Sequence, residues 1–289
     1  MRNRNRQCSP ALPAVRPGHV WFCAAALSLA VRPLDAQTAP AAEADVPEAQ
    51  HVEFMKTTAR EYEFRGGRLN EDVFRVSPEP LLRFTNPVSG LQAGGFFVWS
   101  DAAGRPRAAA QVFLTAEGIW LHEFQSLSPE SFAAHRDGKP VWEPQRAGVE
   151  IRPVPEAPPP AETAVKRLVQ MRDMARRFTA SDEFEGRKTS DELRLLSKPL
   201  LRFGREGTAT LDGALFVLAH GTDPELMIVL EALQQNDGYR WHYSLAPMTG
   251  YALQAALDDK PVWEAPWRKG PYSPKEPFFI LVHSRVPKP

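Results

Sequence analysis

Cysteine is nearly absent from this sequence. Only Cys8 and Cys23 occur among the 289 residues, and both lie in an N-terminal stretch with the features of a secretion signal. If this stretch is removed, the mature chain contains no cysteine. A disulfide scaffold, a thiol nucleophile and a cysteine-ligated metal centre are therefore excluded from the mature protein.

An excess of charge of either sign is also absent. The full chain has 35 basic and 35 acidic residues, so its formal net charge is zero. No basic stripe follows the N-terminal stretch, and we therefore expect no nucleic-acid partner. Metalloprotease, nucleophile-elbow, phosphate-loop and dinucleotide motifs are absent too, and the sequence predicts neither a cofactor nor a metal site.

The chain has no hydrophobic run long enough for a comfortable membrane span. The apolar segment 20–31 follows several arginines and contains 12 residues, whereas a spanning helix needs about 20. We interpret residues 1–36 as a signal peptide that is cleaved after Ala36, and residues 37–50 as a flexible tether. The mature protein is then periplasmic or extracellular, and it contacts a membrane only if the signal segment is retained as an anchor.

An internal duplication organises the rest of the chain. The sequence KPVWE at 139–143 returns at 260–264, and PLLRF at 80–84 returns at 199–203. Two identities in the same order and at nearly the same offset indicate a repeat. We predict repeat unit 1 at residues 51–144, a stiff proline-rich linker at 145–163 and repeat unit 2 at 164–289.

The hydrophobic pattern predicts one helix and several strands in each unit. Apolar residues recur at helical spacing over 51–64 and 163–179, and a meander of short strands follows each helix. The apolar run LMIVL at 226–230 indicates a strand that is covered on both faces. The predicted fold class is α+β, with two pseudo-repeated units that each pack a helix on an antiparallel β-meander.

The segments before the two repeated tryptophans allow alternatives. Asp137-Gly138 favours a hairpin over 131–142, but residues 129–136 also suit a helix capped by Ser128. The corresponding segment 251–257 is more helix-prone, so the hairpin interpretation is weakest there. A last strand at 278–283 has no counterpart in the first unit and is expected to cross over and complete a sheet.

The candidate catalytic residues are His122, Glu123 and His242. A histidine beside a carboxylate suits acid–base or metal chemistry, but strand alternation turns His122 towards the core and His242 away from it. The run GTDPE at 221–225 contains two further carboxylates, and we interpret it as a turn. Trp142 and Trp263 are expected to be buried equivalents that close their units.

Five short segments of the second unit carry a resemblance to a known group of proteins. They are LRLL at 193–196, PL at 199–200, DGALF at 212–216, GTDPE at 221–225 and WHYSLA at 241–246. They resemble a family of exported, uncharacterised proteins from planctomycete-type bacteria. The resemblance implies export and a bacterial source, and it implies no catalytic residues because no activity is assigned to the family.

Two functions remain open from the sequence. The first is a non-catalytic envelope protein, a binding or structural module whose partner is an envelope or glycan ligand. The second is a hydrolase with an unrecognised carboxylate or histidine site in the cleft between the halves. Polar residues from both halves that converge on one pocket would favour the hydrolase, whereas a closed apolar interface would favour the module.

Overall fold

The computed structural model describes residues 48–67, 71–87, 89–183 and 190–285. The predicted signal peptide and residues 37–47 of the predicted tether lie outside the described residues. All described residues belong to one compact unit, Ala44–Pro289. Within the part of the chain that is described, no helix has both the length and the apolar character needed to cross a membrane.

The predicted α+β class is wrong, because the protein is mostly β. Strands account for 52% of the described residues and helices for 11%. The described residues contain two helices, α1 (Glu48–Arg60) and α2 (Ala164–Ala175), and both end before the predicted boundaries. After α1, burial alternates residue by residue, with Tyr62, Phe64 and Gly66 turned inward. A period of two requires a strand, so the helical interpretation of 61–64 fails there.

The strands of the first half, which we define as residues 48–142, follow α1 in a meander. They are β1 (Tyr62–Gly66), β2 (Asp72–Val76), β3 (Leu82–Asn86), β4 (Leu91–Ser100), β5 (Pro106–Leu114), β6 (Ile119–Ser126), β7 (Phe132–Arg136) and β8 (Lys139–Trp142). The connecting segment 143–163 contains the short strand β9 (Arg152–Pro153).

The second half, which we define as residues 164–265, follows α2 with the corresponding series. Its strands are β10 (Phe178–Glu183), β11 (Asp191–Glu192), β12 (Arg194–Leu195), β13 (Leu201–Phe203), β14 (Thr210–His220), β15 (Asp223–Gln235), β16 (Gly238–Pro247), β17 (Ala252–Leu257) and β18 (Lys260–Ala265). The last strand of the chain is β19 (Phe278–Arg285).

The strands are paired in the same way in the two halves. In the first half the order is β6-β5-β4-β2-β1-β7-β8, with β3 also on β4. In the second half β16, β15 and β14 continue to β12, whereas β11, β10, β17 and β18 form a separate sheet. Strand β2 therefore occupies the place that β11 and β12 share in the second half. Strands β11 and β12 are two separate strands because the buried Leu193 lies between them.

Two phenylalanine–glycine pairs show how closely the halves agree. Phe84 lies opposite Gly94 on β4, and Phe203 lies opposite Gly213 on β14. A Cβ atom on either glycine would come within 2.5 Å of the phenylalanine ring. Each ring therefore lies across a glycine, and a larger residue there would displace it.

Hairpins precede both repeated tryptophans, as the first interpretation proposed. Strands β7 and β8 are joined by Asp137 and Gly138, whose φ angles are 51° and 71°. Strands β17 and β18 are joined by Asp258 and Asp259, with φ angles of 50° and 60°. Two consecutive positive φ angles are the geometry of a type I′ turn. The helix-prone composition of 251–257 is overridden by pairing with β10.

The strand that follows each half pairs with a strand of the other half. Strand β9, which follows the first half, pairs with β16 of the second half. Strand β19, which follows the second half, pairs with β6 of the first half over its whole length. The predicted crossover of the last strand is thus confirmed. Two residues of the predicted proline-rich linker, Val149 and Val154, are buried, so this part of the segment packs on the protein.

Three hydrophobic clusters fill the interior. One lies within each half, and a third lies between the β4–β6 and β14–β16 sheets. Strand β15 contributes to two of them: Ile228 and Leu230 face the second half's own cluster, while Met227 and Val229 face the shared one. This confirms that the LMIVL strand is covered on both faces.

The repeated tryptophans are not equivalent in burial. Trp142 is 1% exposed, and its indole Nε1 donates a hydrogen bond of 2.8 Å to the carbonyl of Glu276. Trp263 is only half-buried, so the prediction of two buried equivalents is wrong for the second half. The segment before β19 contributes to this difference, because the carbonyls of Pro274, Lys275 and Glu276 accept hydrogen bonds from Glu143, Gln145 and Trp142 at the end of β8.

Candidate functional site

Polar side chains from both halves converge on a cleft of about 470 Å³ at one edge of the shared core. The polar residues that reach its interior are Asn86, Gln111 and Glu123 from the first half and Asp223, Glu225 and Thr249 from the second. Beside the cleft, the interface contains the apolar cluster between the two sheets. The interface therefore combines a closed apolar area with one polar cleft.

Strand geometry explains why these side chains meet. Gln111 on β5 lies directly opposite Glu123 on β6, so both side chains leave the same face of the sheet. Asp223 and Glu225 are alternate residues at the start of β15 and share a face in the same way. The amide Nε2 of Gln111 donates a hydrogen bond of 2.6 Å to the carbonyl of Pro224. That bond holds the two faces together.

Further hydrogen bonds cross from one half to the other beside the cleft. The amide of Asn86 donates to Asp223 Oδ2 at 3.3 Å, and Thr222 Oγ1 donates to the carbonyl of Thr85 at 3.0 Å. Further along the same seam, Arg105 makes a two-pronged ion pair with Glu231, with both N–O distances at 2.9 Å. Both partners of that pair are buried, so the two halves are fixed in register around the cleft.

The carboxyl groups of the cleft are shifted towards their protonated forms. Burial raises the pKa of Glu123 well above its ordinary value, Asp223 adds to the rise and Arg268 opposes it. Burial also raises the pKa of Asp223 to about 7, although its hydrogen bond from Asn86 works in the other direction. Burial and then the charge of Asp223 raise the pKa of Glu225. Three acids in one low-dielectric site cannot all ionise readily.

The cleft contains hydrogen-bonding capacity that the protein does not use. Among the described residues, Glu123 Oε1, Glu225 Oε2 and Arg268 Nη1 have no hydrogen-bond partner. Glu123 is 6% exposed and Glu225 is 2% exposed. Leaving such groups unpaired costs about 1–3 kcal/mol each. A bound molecule that offers both donors and acceptors would recover part of this cost.

Aromatic side chains form the rim. Tyr251 and Trp267 meet edge to face with ring centroids 5.6 Å apart, and the Lys269 ammonium lies 5.4 Å from the Trp267 centroid. Tyr272 also lines the cleft. Flat apolar faces of this kind are suited to ligands with a hydrophobic side.

The three candidate residues of the sequence do not form one site. His122 is fully buried in the first half's core. Its Nδ1 atom lies 2.6 Å from the Tyr62 hydroxyl oxygen, and its ring stacks on the His283 ring with the centroids 4.7 Å apart. Glu123 leaves the opposite face of β6 and enters the cleft. His242 lies apart from both, half-buried on β16, with its Nδ1 bonded at 3.0 Å to the carbonyl of Arg240.

His122 is not suited to proton transfer with an external molecule. Burial lowers its pKa well below 6.5, and the neighbouring His283 and Arg136 lower it further. The neutral ring accepts a hydrogen bond from the Tyr62 hydroxyl at Nδ1 and packs in the core. The predictions that His122 faces the core and that His242 points away are both confirmed.

Asp223 and Glu225 were missed as site residues because GTDPE was interpreted as a turn. The turn is confined to Gly221 and Thr222, and the next residues already belong to β15. A usable signal was present: two acids in alternation directly precede the continuous apolar run LMIVL at 226–230. No family model, curated protein or solved structure matches this chain.

Proposed function

We propose that this is an exported envelope protein that binds a polyhydroxylated ligand, such as a glycan, in the cleft between its halves. The observation that carries the proposal is the convergence of Glu123, Glu225 and Arg268, with unused hydrogen-bonding atoms, in one cleft. The basic, apolar and small-residue pattern of 1–36 supports export.

The hydroxyl group fits this site better than a purely anionic or purely apolar ligand. A hydroxyl both donates and accepts, so it can satisfy the carboxyl oxygens at one end and the Arg268 guanidinium at the other. A protonated carboxyl can in turn donate to a sugar oxygen. The cleft volume of about 470 Å³ lies within the range of small-molecule sites. The rim aromatics can cover the apolar face of a sugar ring.

Calorimetric titration with glucose, N-acetylglucosamine and their β-1,4-linked disaccharides tests the binding. We expect at least one of these sugars to bind, and we expect Glu123→Gln and Glu225→Gln each to weaken that binding about tenfold. Glu206→Gln is the matched control, because Glu206 is an exposed residue of the second half that does not line the cleft. Equal affinities in all three variants would place the ligand elsewhere.

Hydrolysis of such a ligand is the second candidate function. Two observations favour it: polar residues from both halves converge on the one cleft, and Glu123 is among the charges that raise the pKa of Glu225, after burial and Asp223. Paired carboxyls, one protonated and one ionised, perform general acid–base catalysis on glycosidic bonds. In that case Glu225→Gln should abolish turnover of a 4-nitrophenyl glycoside while affinity falls only about tenfold. If a sugar binds but is not cleaved, hydrolysis is rejected and only the binding function is retained.

A further inference from the structure

A second group of polar residues lies outside the cleft, where β10, β11 and β14 meet. Asp182, Asp191 and His220 each point one ligand-type atom towards a common point, and these atoms all lie within 4.8 Å of one another. It is the only such group among the described residues. Its members come from three strands, so the group is created by the fold and not by a local sequence motif.

The two aspartates are placed in a way that costs stability. Asp182 on β10 is directly opposite Asp191 on β11 in an antiparallel pair. Like charges at directly opposed positions destabilise a sheet. Asp182 is also 0% exposed. An ionised carboxylate at such a position is expensive unless a positive charge balances it.

Hydrogen bonding within the protein does not satisfy Asp182. Its Oδ1 atom has no hydrogen-bond partner among the described residues. Its Oδ2 atom lies 3.4 Å from His220 Nδ1, which is long for a charge-assisted hydrogen bond of about 2.7–2.9 Å. A fully buried carboxylate oxygen with no partner, next to an imidazole nitrogen and a second carboxylate, is the arrangement of a cation site.

The first half shows that the fold itself does not require this group. Its corresponding strand pair places Gly66 opposite Asp72, so only one carboxylate is present. Phe74 occupies the space of the missing side chain, since a Cβ on Gly66 would lie 2.4 Å from the Phe74 ring. An apolar filling is thus compatible with the same strand pairing, and the second half has the buried Asp182 carboxyl group in its place.

We propose that Asp182, Asp191 and His220 bind a divalent transition-metal ion, with zinc the best match to the ligand set. Two carboxylates and one imidazole are ligands that zinc accepts, whereas a histidine is disfavoured by magnesium and calcium. Three protein ligands leave a fourth tetrahedral position for water or a substrate atom. The three ligand atoms lie within 4.8 Å of one another. Because zinc–ligand bonds are about 2.0–2.2 Å, these atoms must move closer together by roughly an ångström when zinc binds.

The site adjoins the cleft without being part of it. His220 and Asp223 face each other across the turn at Gly221 and Thr222, so a rigid metal site would also fix the start of β15. None of the three proposed ligands lines the cleft. Metal binding by these residues therefore does not depend on sugar binding in the cleft, and each can be tested without the other.

Zinc titration of chelator-treated full-length protein tests the inference. Calorimetry should give one zinc per chain, and zinc should raise the thermal midpoint. Asp182→Asn and His220→Gln should each weaken zinc binding at least about tenfold. Asp72→Asn and His242→Gln are matched controls, because each removes the same chemical group at a position in the repeated fold outside the cluster, and both should bind zinc as the wild type does.

Two features keep the test decisive if Asp182→Asn does not fold. His220 is half-buried, and its replacement by Gln retains a polar side chain in the same place, so this variant is expected to fold. Cobalt(II) loading of the wild type should also give visible absorption typical of a four-coordinate site, which His220→Gln should lose. Absence of stoichiometric zinc binding, or unchanged binding in His220→Gln, would overturn the proposal and leave Asp182 and His220 as an ion pair.

Discussion

The two halves share a pattern of strand pairing but differ in what they place on it. The cross-strand pair Gly66–Asp72 of the first half becomes Asp182–Asp191 in the second. The first version is filled by the Phe74 ring, and the second is a pair of acids, the buried Asp182 and the half-buried Asp191, beside His220. The shared features hold the sheets together, whereas the candidate chemistry lies where the halves depart from each other.

The repeated tryptophans also differ between the two halves. Trp142 packs against Phe64, Phe124 and Phe132 and is sealed by the C-terminal segment. Trp263 instead lies at the edge of an open groove of about 890 Å³ on the β10–β17–β18 surface. Equal sequence, KPVWE in both halves, therefore does not imply equal burial.

The largest expected effect separates these two tryptophans. Trp142→Ala removes a fully buried ring and should lower the free energy of unfolding by about 3–5 kcal/mol. Trp263→Ala removes a half-buried ring and should cost clearly less. Urea unfolding of both variants measures the difference. Equal losses would show that the two halves enclose their tryptophans alike in solution.

Two glycines should instead behave identically. Gly94→Ala and Gly213→Ala each bring a Cβ within 2.5 Å of a phenylalanine ring that lies across the strand. Each should lower the free energy of unfolding by about 1–3 kcal/mol through forced repacking. Gly138→Ala, at a site with no atom within 4 Å of the added Cβ, tests positive φ alone. A large difference between Gly94→Ala and Gly213→Ala would break the structural equivalence.

The stability of the protein should depend on pH through Glu123, which the first half contributes to the cleft. The pKa of Glu123 is raised from 4.5 in the folded state by burial and by Asp223. As pH rises above 4.5 the unfolded chain releases this proton while the folded protein keeps it, so the stability contributed by Glu123 falls with pH. It stops falling once the pH passes the folded pKa.

Glu123→Gln should therefore flatten the decline of stability between pH 4.5 and neutrality. Urea midpoints measured at several pH values for wild type and variant decide this. The exposed-site variant Glu206→Gln is the control and should reproduce the wild-type profile. A Glu123→Gln profile parallel to the wild type would mean that Glu123 is ionised in the folded protein.

The smallest expected effect compares the two type I′ turns. Asp259 has a φ of 60°, whereas Gly138 takes the same place in the first half with a φ of 71°. Glycine adopts positive φ without steric cost, so Asp259→Gly should raise the free energy of unfolding by about 0.5 kcal/mol. Gly138→Asp should lower it by a similar amount. A loss of stability in Asp259→Gly would mean that the Asp259 side chain contributes a contact that outweighs the turn preference.

Local pattern predicted much of the strand layout. Asp137-Gly138 located the β7–β8 hairpin, the LMIVL run located β15, and the repeated PLLRF segment falls on β3 and β13 in equivalent registers. The fold class was wrong because the helical pattern of 51–64 runs without a break into the strand at Tyr62, where tertiary pairing with β7 decides. Propensity alone does not carry that information.

The candidate sites were less predictable for a physical reason. Glu123 and Glu225 meet only through the packing of two sheets, and Asp182, Asp191 and His220 meet only through three strands. Neither grouping has the fixed short spacing that makes a motif recognisable in a sequence. Strand alternation did predict that His122 faces the core, because the direction of a side chain depends on its position in a single strand.

The exchanged strands have a consequence for how the molecule is made. Strand β6 of the first half receives its partner from residues 278–285, at the far end of the chain. Until residues 278–285 have been synthesised, the edge of β6 in the first half therefore lacks its partner strand. Pairings of such long sequence separation form slowly. We therefore expect the pairing of β19 with β6 to form late in folding, after the local hairpins of each half.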